Sequence, residues 1–218
     1  MFGCADMCVN GTIDVREEEA QMIKNIIFDM GNVLLDYDPE VSLRHYLEKE
    51  EDRAVIRREL FGGPEWKLGD KGDITPEEQF ERIAARIPKH LHEALQSCID
   101  HWDMCMLPIP GAREFCDYVR AKGYGVYVLS NADYKFYRYF PNFKPFEFFD
   151  GIVVSSDIHV IKPAAEIYEY ILEKYALVPE ECLFIDDREE NVKAAQDVGI
   201  QGCVFQMNYE EIRERFGL

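Results

Sequence analysis

The sequence predicts an α/β protein, a doubly wound parallel sheet with an α-helical cap inserted after its first strand. Two observations carry this. After Pro108, short apolar runs alternate with helical patterns, which is the rhythm of right-handed βαβ units. Between residues 39 and 107, by contrast, the pattern is helical and holds no strand-like run.

In chain order, residues 25–29 read as a buried strand, Ile26-Ile27-Phe28 running straight into Asp29. In the helical block, Phe80, Ile83, Ala84 and Ile87 fall at i, i+3, i+4, i+7, and Leu91, Ala94, Leu95, Cys98 and Trp102 continue that spacing. Thr75-Pro76-Glu77-Glu78 predicts a helix start, with a Thr cap, Pro at the first helical position and Glu three residues after the cap. Beyond it, Pro110 opens a helix to Lys122 and Gly123 ends it. "YGVYVLSN" reads as a strand, and so does "GIVVSSD" at 151–157. A helix follows from Pro163 to about Tyr175, then the strand "CLFIDD" (182–187), the helix "NVKAAQDVG" and a short last strand "GCVF". The division expected is an N-terminal extension (1–22), a core domain (23–38 and 108–218) and a helical cap (39–107).

Composition narrows the partners. The chain of 218 residues is 47% hydrophobic and 30% charged, enough for a sizeable core. Its net charge of −18 repels nucleic acid and anionic membranes, so neither is an expected partner. The same charge repels a phosphorylated substrate unless the site is locally positive or holds a cation. Seven scattered cysteines, an odd number, argue against a disulfide framework and for a reducing, cytoplasmic setting. Cys4 and Cys8 lack the second pair a zinc site needs. No run is apolar enough to span a membrane, and residues 1–22 carry acids in place of a signal-peptide core. Nothing in the sequence requires more than a monomer.

The strand ends hold the chemistry. Parallel strands bring their carboxyl ends to one edge of the sheet, where ligands bind. There this chain offers Asp29, then Ser130-Asn131, then Lys162 before Pro163, then Asp186-Asp187. Taken singly, each has an ordinary explanation as a turn residue, a helix cap or a solvated side chain. Taken together they are an attacking carboxylate, a hydroxyl, a cation and an acid pair whose mutual repulsion a metal ion would relieve. Phosphoryl transfer needs that set, because it consists mostly of positioning and stabilisation of equatorial oxygens.

The ordered set "FDMGNVL", "VLSN", "IKP" and "FIDDREEN" resembles the four motifs of the haloacid dehalogenase-like (HAD) hydrolases, in the subgroup with a helical cap after the first motif. It is most similar to the bacterial α-D-glucose-1-phosphate phosphatase-like branch, with its Asp-x-Gly-Asn-Val motif and a cap turn here formed by Gly72-Asp73-Ile74-Thr75. The resemblance implies a Rossmann-like core and a Mg2+-dependent phosphatase acting on a small phosphorylated substrate such as a sugar phosphate. It implies that Asp29 is the nucleophile and a metal ligand, and that the Gly31 carbonyl is a second ligand. Ser130 and the Asn131 N–H would hold phosphoryl oxygens, and Lys162 would neutralise Asp29 and the phosphoryl group. Asp187 would bind Mg2+ directly, Asp186 directly or through water, and Asn191 would orient that loop.

One departure stands out. Most phosphatases of this family carry a second Asp two residues after the nucleophile, which protonates the leaving group and later activates water. Here that position is Gly31. General acid–base help is worth about 10²–10⁴-fold. Three readings follow: a leaving group that needs little protonation, a substitute acid with Asp36 and Asp38 nearest in sequence, or a weak phosphate-binding module. Dehalogenation is the alternative chemistry, since it needs no leaving-group acid, but it has no use for a metal-binding acid pair. The cap is expected to set substrate choice, with Trp66 and the polar Lys67, Asp70 and Lys71 as candidate contacts and Trp102 as core. His90 and His92 point to different helix faces and do not form a metal site.

Overall fold

Five strands form one parallel sheet in the computed structural model, which describes residues 22–218. The strands are β1 (Asn25–Phe28), β4 (Gly125–Ser130), β5 (Gly151–Val154), β6 (Cys182–Asp186) and β7 (Gln201–Val204), in the order β5-β4-β1-β6-β7. The expected extension, with Cys4 and Cys8, lies outside the described residues except for Met22. β1 is the central strand, with Phe28 opposite Val128 on one side and Ile185 on the other. Its neighbours cover both edges, so Ile26, Ile27 and Phe28 are fully buried. This explains why β1 reads as a continuous apolar run and not as an alternating one.

Helices cover both faces of the sheet. On one side lie α6 (Ala112–Ala121), the short α7 (Phe136–Tyr139) and the C-terminal α11 (Tyr209–Phe216), packing on Phe28, Val126, Val128 and Ile185. On the other lie α9 (Ala165–Lys174) and α10 (Glu189–Asp197), against Ile27, Tyr127, Leu129 and Phe184. Two-sided burial of this kind supplies most of the folding drive, at about 25 cal/mol per Å² of apolar surface removed from water.

The cap comprises α1 (Glu40–Tyr46), α2 (Glu50–Ile56), a π-helical turn (Arg57–Phe61), α3 (Pro64–Lys71), α4 (Pro76–Ala84) and α5 (His92–Asp100). Leu43, Ile56, Leu60, Ile83, Leu95 and Cys98 form a separate core inside it. The expected start of α4 is present as a full capping box, Thr75 and Glu78 each bonding the other's backbone N–H. Two antiparallel three-residue strands join cap to core: β2 (Leu35–Tyr37) and β3 (Met106–Pro108).

Several elements differ from the sequence reading. β5 stops at Val154, and Ser155–Ile158 forms a helical turn, α8. The change is forced by Ser155, whose buried hydroxyl bonds the Asp70 and Ala132 carbonyls across the chain instead of continuing the strand pattern. The helix expected to reach Trp102 ends at Asp100, and Trp102 opens a 3-10 turn. β2, β3 and α11 were not anticipated. The five cysteines among the described residues are unpaired, and no described helix is long and apolar enough to cross a membrane.

The cap touches the core at a glycine. Gly72 ends α3 in the left-handed region (φ 75°), and a Cβ there would stand 2.7 Å from the Ser156 carbonyl oxygen. Both the φ value and the clash oppose any side chain. Gly72→Ala is expected to cost about 2 kcal/mol, read as a lower urea midpoint with an unchanged slope.

Candidate active site

The strand ends converge as the topology requires. Asp29 follows β1, Ser130 ends β4, and Asp186 ends β6 next to Asp187. Lys162 reaches them from the loop between α8 and α9. Its ammonium lies 2.7 Å from Asp29 Oδ1 and 2.7 Å from Asp186 Oδ2, with its side chain 1% exposed. The loop that carries it is pinned by Asn131, whose amide accepts from Lys162 N (2.8 Å) and donates to the Lys162 carbonyl (3.0 Å). Asn131 is therefore part of the site's frame through its side chain.

Each carboxylate has a distinct set of partners. Asp29 Oδ1 accepts from Met30 N at 2.7 Å as well as from Lys162, and no described donor reaches Oδ2. Asp186 is fully buried and both its oxygens are engaged. Oδ1 accepts from Arg188 N (2.8 Å), Oδ2 from Lys162, and both from Asn191 Nδ2 (3.0 Å). Asp187 is partly exposed, and its Oδ2 accepts from Asn32 Nδ2 at 2.9 Å. Oxygens of Asp29, Asp186 and Asp187 all lie within 4.8 Å of one another. Three carboxylates against one ammonium leave a local excess of negative charge that suits a divalent, oxygen-seeking cation. The Gly31 carbonyl has no donor among the described residues, and Gly31 lines the same cavity.

The charges shift one another. Burial pushes the Asp29 carboxyl up to about 7; Lys162 opposes this, and Asp186 and Asp187 add to it. Burial alone would lower Lys162, but Asp186 and then Asp29 outweigh it and hold the ammonium above its usual range. Ser130 is 1% exposed and its Oγ has no partner. A buried hydroxyl left unpaired costs about 1–3 kcal/mol, a cost that a bound oxyanion would relieve.

Above this floor lies a cavity of about 480 Å³. Trp66, expected as a contact, lines it, as do Lys67 and Asp70; Lys71 instead pairs with Asp73. Trp102, expected as core, is 5% exposed and also lines the cavity. The sequence reading missed Tyr37, Phe61 and Met106, which complete an aromatic wall. Tyr37 stacks on Trp66 with centroids 5.9 Å apart, and Trp66 meets Trp102 edge-on at 5.5 Å. These residues come from β2, the π-helical turn and β3, and no sequence period links them. Asp36 and Asp38 are not in the cavity lining: Asp36 pairs with Leu107 across the two-stranded ribbon, and Asp38 caps α1 through Glu40 N. His90 and His92 bond Asp52 and the Ala84 carbonyl, far from any described metal cluster.

The haloacid dehalogenase-like hydrolase family model matches residues 23–199, and the chain belongs to that family. Over 180 residues it is 28% identical to the sesquiterpene phosphatase astK of Aspergillus oryzae, covering 82% of this chain and 88% of that protein. It is 25% identical to the D-ribitol-5-phosphate phosphatase of Bacteroides thetaiotaomicron over 193 residues, 83% of this chain and 90% of that one. The fold matches a HAD family enzyme of Bacteroides thetaiotaomicron solved in complex with magnesium and inorganic phosphate. That match has a TM-score of 0.65 and 24% identity, covering 85% of this chain and 96% of that one.

Lys162 is the counter-charge for two buried carboxylates. Lys162→Met leaves both without it and is expected to destabilise the fold by about 3–5 kcal/mol at neutral pH. The sign with pH follows from Asp29. A carboxyl raised above its unfolded value of 3.8 holds its proton more tightly when folded, so stability falls as pH rises toward the folded pKa. Removing the lysine raises that pKa further. The loss, measured by denaturant unfolding, should therefore be larger at pH 8 than at pH 5.

Proposed function

We propose that this hydrolase is a magnesium-dependent phosphatase acting on a small phosphate monoester through an aspartyl-phosphate on Asp29. One observation carries the reading. The ends of β1 and β6 and the loop before α9 gather three carboxylates and one buried ammonium, and β4, next to β1, ends in an unpartnered buried serine hydroxyl. A dehalogenase needs no such excess of carboxylate, and a silent binding module has no need of a nucleophile held by Lys162. The relatives named above include two phosphatases, which supports the same direction.

The residues divide the work. Asp29 offers Oδ2, the oxygen without a donor, to phosphorus while Met30 N and Lys162 fix Oδ1. Asp29, Asp187 and the Gly31 carbonyl would hold a metal ion. Asp186 belongs to the same set, but its oxygens are already occupied, which suits it to orienting Lys162. Bound Mg2+ supplies charge neutralisation for the phosphoryl oxygens. Ser130 Oγ and the Asn131 N–H bind those oxygens, and Lys162 balances the charge that develops on them.

The aromatic wall receives the organic part of the substrate. Trp66 and Tyr37, stacked on each other in the cavity wall, offer aromatic surface that can pack against the C–H groups of a sugar, which supports a sugar phosphate. Phe61, Met106 and Trp102 make the same wall apolar enough for a hydrocarbon alcohol, so an apolar phosphate ester is the second reading. A substrate panel of sugar phosphates, polyol phosphates and prenyl phosphates decides between them by kcat/KM.

Asp29→Asn is expected to lower kcat by about 10⁴-fold or more with the fold intact, because an amide is a poor nucleophile. Excess chelator should abolish turnover of the wild type, and added Mg2+ should restore it. Turnover that persists in chelator would remove the metal from the reading, and turnover that survives Asp29→Asn would remove the nucleophile.

A further inference from the structure

Gly31 leaves the reaction without the acid–base group its position normally supplies, and the cavity shows where another comes from. Four carboxyl side chains line it: Asp29, Asp70, Asp187 and Glu190. Asp29 and Asp187 belong to the nucleophile and the metal site. Glu190 is more than half exposed and paired with Arg188. Asp70 remains. It projects from the last turn of α3, on the cap side of the cavity, and its carboxyl has no hydrogen-bond partner among the described residues. The leaving group of a phosphate ester attacked from below by Asp29 extends toward that side.

Asp70 is held there by the core. The buried Ser155 hydroxyl donates to the Asp70 carbonyl and also bonds Ala132, the second residue after Ser130. Two residues on, Gly72 packs against the Ser156 carbonyl. The end of α3 thus rests on the two residues that follow β5, and its position is fixed relative to the strand ends whenever the cap is closed. Apart from its chain neighbours, no atom lies within 4 Å of the place a Gly31 Cβ would occupy, and Gly31 and Asp70 line the same cavity.

We propose that Asp70 is the general acid and base of this enzyme, delivered to the site by the cap in place of the residue missing at Gly31. The inference rests on the aspartyl-phosphate reading above. In the first step an Asp29 oxygen bonds to phosphorus and the bond to the leaving oxygen breaks. The leaving oxygen keeps the electron pair and takes the proton of Asp70, and the alcohol departs. In the second step Asp70, now a carboxylate, takes a proton from water as the water oxygen bonds to phosphorus. The bond to Asp29 breaks, its electron pair returns to Asp29, and inorganic phosphate leaves with Asp70 protonated again.

The surroundings suit that role. Burial, then the nearby charges of Asp133 and Asp29, raise the Asp70 carboxyl well above the ordinary carboxylate range, the direction a proton donor needs. Asp133 is fixed separately by Trp102 Nε1 (3.1 Å) and by Lys135 N (2.9 Å). A donor that arrives with the cap protonates the leaving group only when the site is closed to bulk water.

The test is kcat/KM across a series of aryl and alkyl phosphates of falling leaving-group acidity, for the wild type and for Asp70→Asn. The wild type should depend only weakly on leaving-group pKa. Asp70→Asn should retain kcat/KM on nitroaryl phosphates within a few-fold and lose about 10²–10⁴-fold on alkyl phosphates. With nitroaryl phosphates it should also release one equivalent of phenol in a burst, followed by slow turnover, with phosphate trapped on the protein. A uniform loss across the series would overturn the proposal, as would a steep dependence in the wild type itself, which needs no variant to fold. Failure of the underlying reading has a different signature: the wild type then forms no phosphoryl-enzyme, or Asp29→Asn still turns over.

Discussion

The site is organised around one ammonium. Lys162 sits between Asp29 and Asp186 at 2.7 Å from each, almost wholly removed from solvent. It is the counter-charge for both carboxylates, and an unpaired buried charge costs several kcal/mol. The lysine in turn depends on Asn131, which clamps its main chain, and on Asn191, which holds Asp186. Three strand ends, the loop before α9 and the first turn of α10 are therefore tied into one polar network. The sheet exists in a form that makes this possible: β1 is central, and its neighbours β4 and β6 carry Ser130 and Asp186 on either side of Asp29.

That network balances only part of its charge. Two carboxylates around one lysine are an ion pair with a surplus, and Asp187 adds a third. A fold selected for stability alone would replace such a group with packed hydrophobic residues. Retaining it, together with a buried serine hydroxyl that bonds nothing, stores unfavourable interactions that a cation and an oxyanion relieve when they bind together. The strongly acidic surface has the same consequence. At a net charge of −18 a phosphate ester gains little from long-range attraction, so recognition falls to local charge at the strand ends and to the apolar wall.

The parallel core was legible because burial on both faces writes itself into the sequence. β1, β4 and β6 are runs of Ile, Val, Leu and Phe that end abruptly in polar residues. The Thr75 cap was legible because its signal is local. The parts that were not legible depend on distant contacts. β2 and β3 have three residues each, too short for a period, and exist because they pair with each other. Ser155 turns the chain away from β5 through bonds to Asp70 and Ala132 that no local pattern announces. α11 carries a local signal in Asn208, whose side chain caps it by accepting from Glu210 N and Glu211 N, with Ile212 turned inward. The wall of Tyr37, Phe61 and Met106 is assembled from three segments and could be seen only in the folded chain.

The same distinction explains how an acid could be missing from the sequence and present in the site. A general acid on the nucleophile's own loop is fixed by two residues of chain and can be read from spacing. An acid on the cap is fixed by how the cap seats, and its distance from Asp29 in sequence, across the whole of α1 to α3, carries no information. Asp70 qualifies through tertiary facts alone: it lines the same cavity as Asp29, its carboxyl lacks a partner among the described residues, and its carbonyl is held by Ser155. Moving the proton donor from the core to the cap ties two functions together. The cap already supplies Trp66 and Phe61 to the cavity wall. If it also supplies the proton, a substrate too large or too small to let the cap seat is bound without being turned over, and selection by shape becomes selection by rate.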